Sequence, residues 1–139
     1  MLLSDLRVLV TDDSETMSLQ IKESLKSIGI KRISCAKNGN AGLEMLKTSF
    51  MLGENHEFSI VICDWLMPNI SGLDVLKSIR STNNDRMKKI PFIMLTSVKD
   101  QTMVAEAIAS GVSSYILKPF TANTLYEKIE FVLHKDKKQ

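Results

Sequence analysis

The fold is decided by one continuous run, Phe58-Ser59-Ile60-Val61-Ile62-Cys63, which is followed at once by Asp64. An apolar run of this length is typical of a β-strand that is buried on both faces, and such strands lie inside parallel sheets with helices on both sides. Outward from this stretch, short apolar runs alternate with longer segments of helical period. The central strand and its surroundings therefore predict an α/β architecture.

Four further apolar runs predict strands at residues 6–11, 32–36, 91–95 and 114–117. Five segments of helical spacing separate or follow the strands. These segments are marked by Met17, Ile21, Leu25 and Ile28, by Leu43, Leu46 and Phe50, by Leu73, Leu76 and Ile79, by Val104, Ala107 and Ile108, and by Leu125, Ile129 and Val132. The strict alternation predicts a five-stranded parallel sheet with helices on both faces. Residues 53–57 and 81–89 are predicted to be surface loops.

Helix boundaries are also readable from the sequence. Ser14 and Thr121 precede helical segments and are predicted N-caps. Three of the helices are predicted to end near Gly29, Gly53 and Gly111, because glycine is favoured just after a helix.

Length and composition indicate one soluble globular domain. The chain has 139 residues, of which 44% are hydrophobic and 24% are charged, and its net charge is +2. Such a mild charge does not favour a nucleic acid or a membrane as partner. Lys135, Lys137 and Lys138 form a local basic excess, which is interpreted as a means of keeping the terminus soluble.

The cysteines and the hydropathy pattern favour a cytoplasmic protein. Cys35 and Cys63 lie in apolar runs and are predicted to be buried and reduced. No apolar run approaches the ~20 residues that a membrane-spanning helix needs. The first ten residues lack the basic lead and the cleavage site of a signal peptide.

Polar side chains follow four of the five strands at their carboxyl ends. Asp12 and Asp13 follow the first strand, Asp64 the third, Thr96 the fourth, and Lys118 the fifth. In an open parallel sheet these ends share one edge, where ligands bind. The sequence therefore predicts that three carboxylates, a hydroxyl and an ammonium group converge there.

Three neighbouring carboxylates repel one another and raise one another's pKa values unless a cation neutralises them. Oxygen ligands suit hard divalent ions, and Mg²⁺ takes one or two carboxylates while keeping room for phosphate. Neither His56 nor His134 lies on this edge, and the cysteines do not cluster. The pattern thus predicts Mg²⁺ as the cofactor and not zinc.

Each residue also has a simpler explanation when it is taken alone. Asp12 and Asp13 could cap the first helix, Asp64 could be a turn residue, Thr96 could be structural, and Lys118 could be a surface lysine. The coincidence of all of them on one edge favours a functional site.

An ordered set of short motifs gives the sequence a family resemblance. The motifs are Asp12-Asp13, Asp64-Trp65-Leu66-Met67-Pro68-Asn69 with Gly72, Thr96-Ser97, Tyr115, and Lys118-Pro119-Phe120 continuing into Thr121-Ala122-Asn123-Thr124-Leu125. Over nearly its whole length the chain resembles the receiver family of two-component response regulators, most closely the chemotaxis regulators within it. The resemblance implies a flavodoxin-like (βα)5 receiver fold with strand order 2-1-3-4-5, an order that is taken from the family.

The resemblance also implies a phosphoacceptor. Asp64 would be the nucleophile that takes a phosphoryl group from a sensor histidine kinase or a small phosphodonor. Asp13, Asp64 and the backbone carbonyl of Leu66 would hold Mg²⁺, and Asp12 would act mainly through water. In this interpretation the protein is not an enzyme, although it assists its own phosphorylation and dephosphorylation.

Further roles follow from the same resemblance. Lys118 and Thr96 would each contact a phosphoryl oxygen. Thr96 would move towards the phosphoryl group, and Tyr115 would rotate into the vacated space, so that the surface of the fourth predicted helix, fifth strand and fifth helix changes. The peptide bond between Lys118 and Pro119 is expected to be cis.

The sequence departs from the chemotaxis regulators at two positions that flank the site. Leu66 and Val98 are apolar where those relatives carry polar residues. Our hypothesis is that the two side chains shield Asp64 from water and lengthen the lifetime of the phosphoryl group. The departure puts in doubt whether a chemotaxis-type phosphatase acts here.

The domain organisation is predicted to be one receiver domain over residues 1–139 without an output domain. The expected partners are a histidine kinase and a downstream protein target in chemotaxis or a phosphorelay, with no nucleic acid and no membrane insertion. We expect the unphosphorylated form to be a monomer. A receiver excised from a larger regulator or hybrid kinase would have the same sequence pattern and stays an alternative.

Three other classes fit less well. A flavin-binding protein would need a hydroxyl- and glycine-rich phosphate loop, whereas Thr11-Asp12-Asp13-Ser14 is acidic. An aspartate-nucleophile phosphatase usually carries an Asp-x-Asp motif, whereas Asp64 is followed by Trp65-Leu66. A purely structural domain would not need the acidic residues and Lys118 together.

Overall fold

The computed structural model describes residues 2–97 and 100–134. The five strands are β1 (Arg7–Thr11), β2 (Arg32–Ala36), β3 (Ile60–Asp64), β4 (Phe92–Thr96) and β5 (Ser114–Leu117). The six α-helices of the described part are α1 (Glu15–Ser27), α2 (Gly39–Leu52), α3 (Gly72–Arg80), α4 (Asp85–Lys88), α5 (Gln101–Ala109) and α6 (Ala122–His134). Short 3-10 turns cover Leu3–Asp5 and Glu54–His56.

The strands form one parallel sheet in the order β2-β1-β3-β4-β5. Both the parallel sheet and its strand order were predicted, and both are confirmed. β3 and β4 lie inside the sheet, and all five residues of each are buried. β2 and β5 form the two edges, and both strands are partly exposed.

Helices cover both faces of the sheet, as predicted. Leu25 of α1 and Ile129 of α6 belong to one core, together with Val10 of β1. Leu46 of α2 and Leu76 of α3 belong to the second core, on the other face. Because β3 has side chains in both cores, Asp64 at its end is fixed by packing on two sides.

The prediction that residues 81–89 form a loop was wrong in part. Asn84 caps α4 by accepting a hydrogen bond from the Met87 N–H at 3.0 Å, and Met87 is buried in the second core. A helix of four residues has too few positions to show a period, so one buried methionine could not be recognised as helical. The 3-10 turn Glu54–His56 likewise lies in the other predicted loop.

Strand ends differ from the prediction by one or two residues. β3 begins at Ile60 and not at Phe58, and it includes Asp64. β4 is shifted by one residue and includes Thr96. Hydrophobicity shows where a strand is buried, whereas the hydrogen-bonded ladder sets where it ends, and polar end residues can belong to that ladder.

The predicted helix boundaries are confirmed. The Ser14 hydroxyl accepts from the Met17 N–H at 3.2 Å, and the Thr121 hydroxyl accepts from the Thr124 N–H at 3.1 Å. Gly29 follows α1 with a φ of 104°, a conformation that side-chain-bearing residues rarely adopt.

The prediction that both cysteines are buried was wrong for Cys35. Cys63 is buried in β3, but Cys35 lies exposed on the edge strand β2. An apolar run predicts the strand, but it does not tell whether a helix covers a given position of an edge strand. Among the described residues, no helix is long and apolar enough to cross a bilayer.

Candidate functional site

The register of the strands brings the predicted polar residues to one edge. Thr11 pairs with Cys63, so the next residues, Asp12 and Asp64, leave neighbouring strands at the same level. On the other side, Thr96 is the last residue of β4 and pairs with Leu117. Lys118 directly follows Leu117, the last residue of β5, so it too emerges at this edge.

Three carboxylates form a compact cluster, hereafter the acidic cluster: Asp12, Asp13 and Asp64. One oxygen from each lies within 4.8 Å of the others. Asp12 is 2% exposed and Asp64 is 7% exposed, whereas Asp13 is exposed. The cluster therefore has a buried floor and one carboxylate that reaches the solvent.

The environment of Asp12 disfavours its negative charge. Burial raises the pKa of Asp12 above its usual value, and the negative charges of Asp64 and Asp13 raise it further. The Ser14 N–H, which donates to Asp12 Oδ1 at 2.9 Å, and the positive charge of Lys118 act in the opposite direction. The chain therefore holds more negative charge here than it compensates.

One oxygen of the cluster has no hydrogen-bond partner among the described residues. It is the buried Oδ2 of Asp12. A buried carboxylate oxygen without a partner is costly unless a cation or water contacts it. The donor set consists of oxygen atoms only, which suits a hard divalent ion such as Mg²⁺ better than zinc. The residues present thus fit the ion that the sequence predicts.

Lys118 faces the acidic cluster from the other side. Its Nζ lies 2.9 Å from Oδ1 of Asp64, and both side chains are largely shielded from solvent. The Lys118 backbone N–H donates to the Thr96 carbonyl at 2.9 Å, which fixes the start of the loop after β5. The following bond, between Lys118 and Pro119, is cis as expected.

The backbone after Asp64 is held by close contacts with α3. The Gly72 N–H donates to the Trp65 carbonyl at 2.8 Å. A Cβ atom at Gly72 would clash with the Asp64 carbonyl oxygen and would lie 2.7 Å from Met94 Sδ. Gly72 is therefore required by the site, since only glycine lets α3 begin this close to β3. The sequence shows the glycine, but the contact it permits is visible only in three dimensions.

Two supporting contacts were not predicted. The Ser14 N–H on Asp12 is one, and the other is the Cys63 thiol, whose Sγ lies 3.3 Å from the Asp64 carbonyl oxygen. Ser14 could have been found, because a residue two positions after an aspartate often donates to its carboxylate. Burial raises the pKa of the Cys63 thiol and keeps it neutral, so it is a donor here and not a nucleophile.

The remaining predicted residues lie around the acidic cluster. Leu66 is 60% exposed, directly after Trp65, which is buried. Thr96 is buried, and Tyr115, on β5, is 37% exposed. Val98 and the lysines of the tail (Lys135, Lys137 and Lys138) lie outside the described residues.

A groove of about 310 Å³ adjoins the acidic cluster. Asp12 and Asp13 line it at one end, and Leu19, Lys22 and the exposed Cys35 line the rest, together with their neighbours. Burial raises the pKa of the Cys35 thiol, while Lys22 lowers it. The site is therefore open to an approaching molecule along the face between α1 and β2.

Comparisons with known proteins agree with this geometry. A family model described as "Response regulator receiver domain" matches residues 8–130. Chemotaxis protein CheY1 of Helicobacter pylori is 39% identical over 128 residues, which cover 92% of this chain and 97% of that protein. Chemotaxis protein CheY-3 of Vibrio cholerae is 34% identical over 131 residues, which cover 94% of each.

A solved structure agrees as well. The crystal structure of a response regulator receiver domain protein from Clostridium thermocellum superposes with a TM-score of 0.81 at 27% identity. The match covers 95% of this chain and 97% of that one. The resemblance stated from the sequence motifs is confirmed.

Proposed function

The chain belongs to the response regulator receiver family, and we propose that it is a switch activated by phosphorylation of Asp64. One observation carries this proposal: a buried carboxylate lies between two further carboxylates and a lysine at the carboxyl edge of the sheet. The family consists of signalling regulators, so the chemistry is a single transfer onto the chain and not turnover of a substrate.

In the proposed transfer, an oxygen of the Asp64 carboxylate attacks phosphorus. The new O–P bond forms while the bond between phosphorus and the donor breaks, and the electron pair leaves with the donor. The donor is a phosphohistidine of a sensor kinase or a small acyl phosphate. Asp64 is held in place by β3 and by the start of α3, so little reorganisation is needed for the attack.

The acidic cluster is proposed to hold Mg²⁺. Asp13, Asp64 and the backbone carbonyl of Leu66 would be its ligands, and Asp12 would act through water. When bound, the ion supplies positive charge that offsets the charge of the phosphoryl oxygens during transfer. The unpartnered Oδ2 of Asp12 and the raised pKa of that residue support a cation at this place.

Lys118 and Thr96 are proposed to contact the phosphoryl group once it is attached. Lys118 Nζ lies 2.9 Å from Oδ1 of Asp64. A small movement of this side chain would therefore bring its ammonium group to an oxygen of a phosphoryl group attached to Asp64. Thr96 would donate its hydroxyl to another phosphoryl oxygen. Both residues would stabilise the negative charge of the phosphoryl oxygens, and neither would transfer a proton to the phosphodonor.

The signal is proposed to leave through α5, β5 and α6, which correspond to the fourth predicted helix, fifth strand and fifth helix. Thr96 would move towards the phosphoryl group and Tyr115 would rotate into the space beside it. The exposed ring of Tyr115 supports this idea, because it is not locked into the core. In physical terms, a new local charge shifts the balance between two arrangements of this surface.

The pathway is proposed from the relatives that are named chemotaxis proteins. A sensor histidine kinase would phosphorylate the chain, and the phosphorylated surface would bind a downstream protein target, such as a motor switch or a phosphorelay partner. We propose that the unphosphorylated form is a monomer. A receiver module of a larger response regulator or hybrid kinase is the alternative.

Transfer of radiolabelled phosphate tests the proposal. Wild-type protein incubated with labelled acetyl phosphate should take up label only when Mg²⁺ is present, and chelation of the ion should abolish uptake. Asp64→Asn should take up none, whereas Asp5→Asn, which changes an exposed aspartate of the 3-10 turn Leu3–Asp5, should behave as wild type. Equal labelling of Asp64→Asn and wild type would exclude Asp64 as the acceptor.

A further inference from the structure

A groove of about 400 Å³ lies between α2 and the start of β1, and we call it the α2 groove. The lining residues that decide its chemistry are Arg7, Glu44, Met45, Leu52 and Phe58. Arg7 is the first residue of β1, whereas Asp12 directly follows the last residue of that strand. The α2 groove therefore lies at the amino edge of the sheet, at the end of β1 that is remote from the acidic cluster.

The floor of the α2 groove is apolar. Met45 and Phe58 are half-buried and pack against the second core. Leu52, in the last turn of α2, is 62% exposed, and the preceding residue, Met51, is 85% exposed beside the groove. Four large apolar side chains thus meet the solvent in one place, and a contiguous patch of this kind is typical of a binding surface.

Two arginines lie opposite each other at the amino end of this groove. Arg7 is paired in register with Arg32 of β2, so both side chains leave the same face of the sheet. Leu9, two residues after Arg7, lies in the second core, so this face is the one that α2 covers. Like charges in opposed positions repel and weaken the pairing of the strands. A bound anion would remove this repulsion.

The charge of the arginine pair is not neutralised within the described part of the chain. Arg7 is half-buried, Arg32 is exposed, and neither forms an ion pair with a carboxylate of the described residues. Two cations therefore stand without a counter-charge next to the apolar floor.

Glu44 gives the α2 groove a direction. It lies about two turns before Leu52 on α2, which is about 12 Å along the helix axis. The earlier residue Gly42 packs over Thr11 at the far end of β1, so α2 runs back along β1 and its last turn lies beside Arg7. The groove is thus cationic at the amino end of β1, apolar along its floor and acidic at its other end.

We propose that the α2 groove binds a segment of a partner protein in which a large apolar side chain is followed by carboxylates. The apolar side chain would pack against Leu52 and Phe58. The carboxylates would contact Arg7 and Arg32, whose planar guanidinium groups suit carboxylate oxygens. Charge complementarity selects this occupant, because a nucleic acid is negative along its whole length and would be repelled by Glu44.

The α2 groove and the proposed switch surface lie on different parts of the sheet. β2 and β1 are on one side of β3, whereas β5 forms the opposite edge. A partner that contacts both places would bind more tightly than through either one alone. The inference goes beyond the proposed function. Its test needs neither a phosphodonor nor Mg²⁺, so its failure is distinguishable from a failure of phosphorylation at Asp64.

The charge contacts are tested with a short fluorescent peptide, in which one leucine is followed by glutamates, and fluorescence anisotropy with the full chain. Saturable binding is expected, and it should weaken as salt is added. Arg7→Gln/Arg32→Gln should bind about tenfold more weakly, because both attractions are lost. The matched control Lys26→Gln/Lys89→Gln removes the same charge from exposed positions elsewhere and should bind as wild type.

The apolar contact is tested from both sides of the complex. Leu52→Asn should weaken binding about fivefold, whereas Leu19→Asn, the same change at an exposed position of α1, should not. A probe with glycine in place of its leucine should also bind wild-type protein about fivefold more weakly, and this comparison requires no variant of the chain. Amide signals of Leu52 and Phe58 should shift when the probe is added.

Thermal unfolding should show that all the variants are folded, and removal of the opposed arginines should not lower the midpoint. The proposal is overturned if no saturable binding occurs, or if a control variant loses as much affinity as the variant it matches. It is also overturned if the glycine probe binds as tightly as the leucine probe, or if an oligonucleotide or vesicles of anionic lipid bind as tightly as the peptide.

Discussion

Asp12 lies in an environment that is unfavourable for a charged carboxylate. Its carboxylate is buried, one of its oxygens has no partner among the described residues, and its pKa is raised chiefly by burial. A carboxyl group whose pKa is higher in the folded than in the unfolded protein destabilises the fold as the pH rises. Below both pKa values the group is neutral in both states and the penalty vanishes.

Replacement of Asp12 by asparagine should therefore stabilise the metal-free protein at neutral pH. The amide removes the charge and can still accept the Ser14 N–H, so we expect a gain of about 1–3 kcal/mol in the free energy of unfolding. Urea unfolding at pH 7 and at pH 3 measures it, and the gain should shrink at the lower pH. Asp85→Asn, at an exposed position, is the control. A gain that is equal at both pH values would contradict the burial of charge as its cause.

Leu66 is the residue that should set the lifetime of the phosphoryl group. Its side chain is 60% exposed next to the buried Trp65, so it is free to cover the mouth of the site. Leu66→Asn should speed loss of phosphate severalfold, because an amide can hold a water molecule where the apolar side chain excludes it. Decay of radiolabel after removal of the donor measures this rate. An unchanged or slower decay would rule out the shielding role.

At the scale of the elements, helix α3 begins directly against the site. It begins at Gly72, against the carbonyl of Asp64, and its first turn is held by a capping box between Ser71 and Asp74. The first residue of α3 therefore packs against the end of β3, which carries the proposed phosphoacceptor Asp64.

Gly72→Ala should disturb both stability and phosphorylation. The added methyl group would overlap the Asp64 carbonyl and crowd Met94, which should lower the free energy of unfolding by about 1–3 kcal/mol. Displacement of Asp64 should also slow phosphorylation by acetyl phosphate. Ser78→Ala, at an exposed position of the same helix, is the control for helix propensity. Unaltered stability and rate in Gly72→Ala would show that α3 does not position Asp64.

The elements also show how far the sequence predicts this fold. Strands and long helices were found because burial and helical period repeat over many residues, as in β3 and α6. α4 was missed because four residues cannot show a period, and its one buried side chain, Met87, has meaning only beside its three-dimensional neighbours. The exposure of Cys35 was missed because packing on an edge strand depends on which helix lies over it.

For the candidate site, the residue types and their common edge were predictable, because parallel strands align their carboxyl ends. The clustering of Asp12, Asp13 and Asp64 and the contact of Lys118 with Asp64 follow from that alignment. The unpartnered oxygen of Asp12 was not predictable, since it depends on distances that spacing along the chain does not fix.

At the scale of the whole molecule, charge is divided between the two ends of the sheet. The acidic cluster lies at the carboxyl edge, where one phosphoryl group and one Mg²⁺ ion would change the local charge most. Arg80, Lys88 and Lys89 lie together at the amino edge, and the Gly111 carbonyl accepts a hydrogen bond from Arg80 Nε there. The end of the molecule where a phosphoryl group would add charge is therefore opposite to the end where these cations lie.

The central claim is tested most directly by the fluorescence of Trp65. This residue is the one tryptophan of the chain, and it is buried directly after Asp64. Its backbone N–H donates to the Leu95 carbonyl at 2.9 Å. Beryllofluoride, which mimics an attached phosphoryl group, should change its emission in a saturable way that requires Mg²⁺, and Asp64→Asn should abolish the response. No response in the folded wild-type protein with Mg²⁺ present, or an equal response in Asp64→Asn, would contradict Asp64 as the phosphoacceptor.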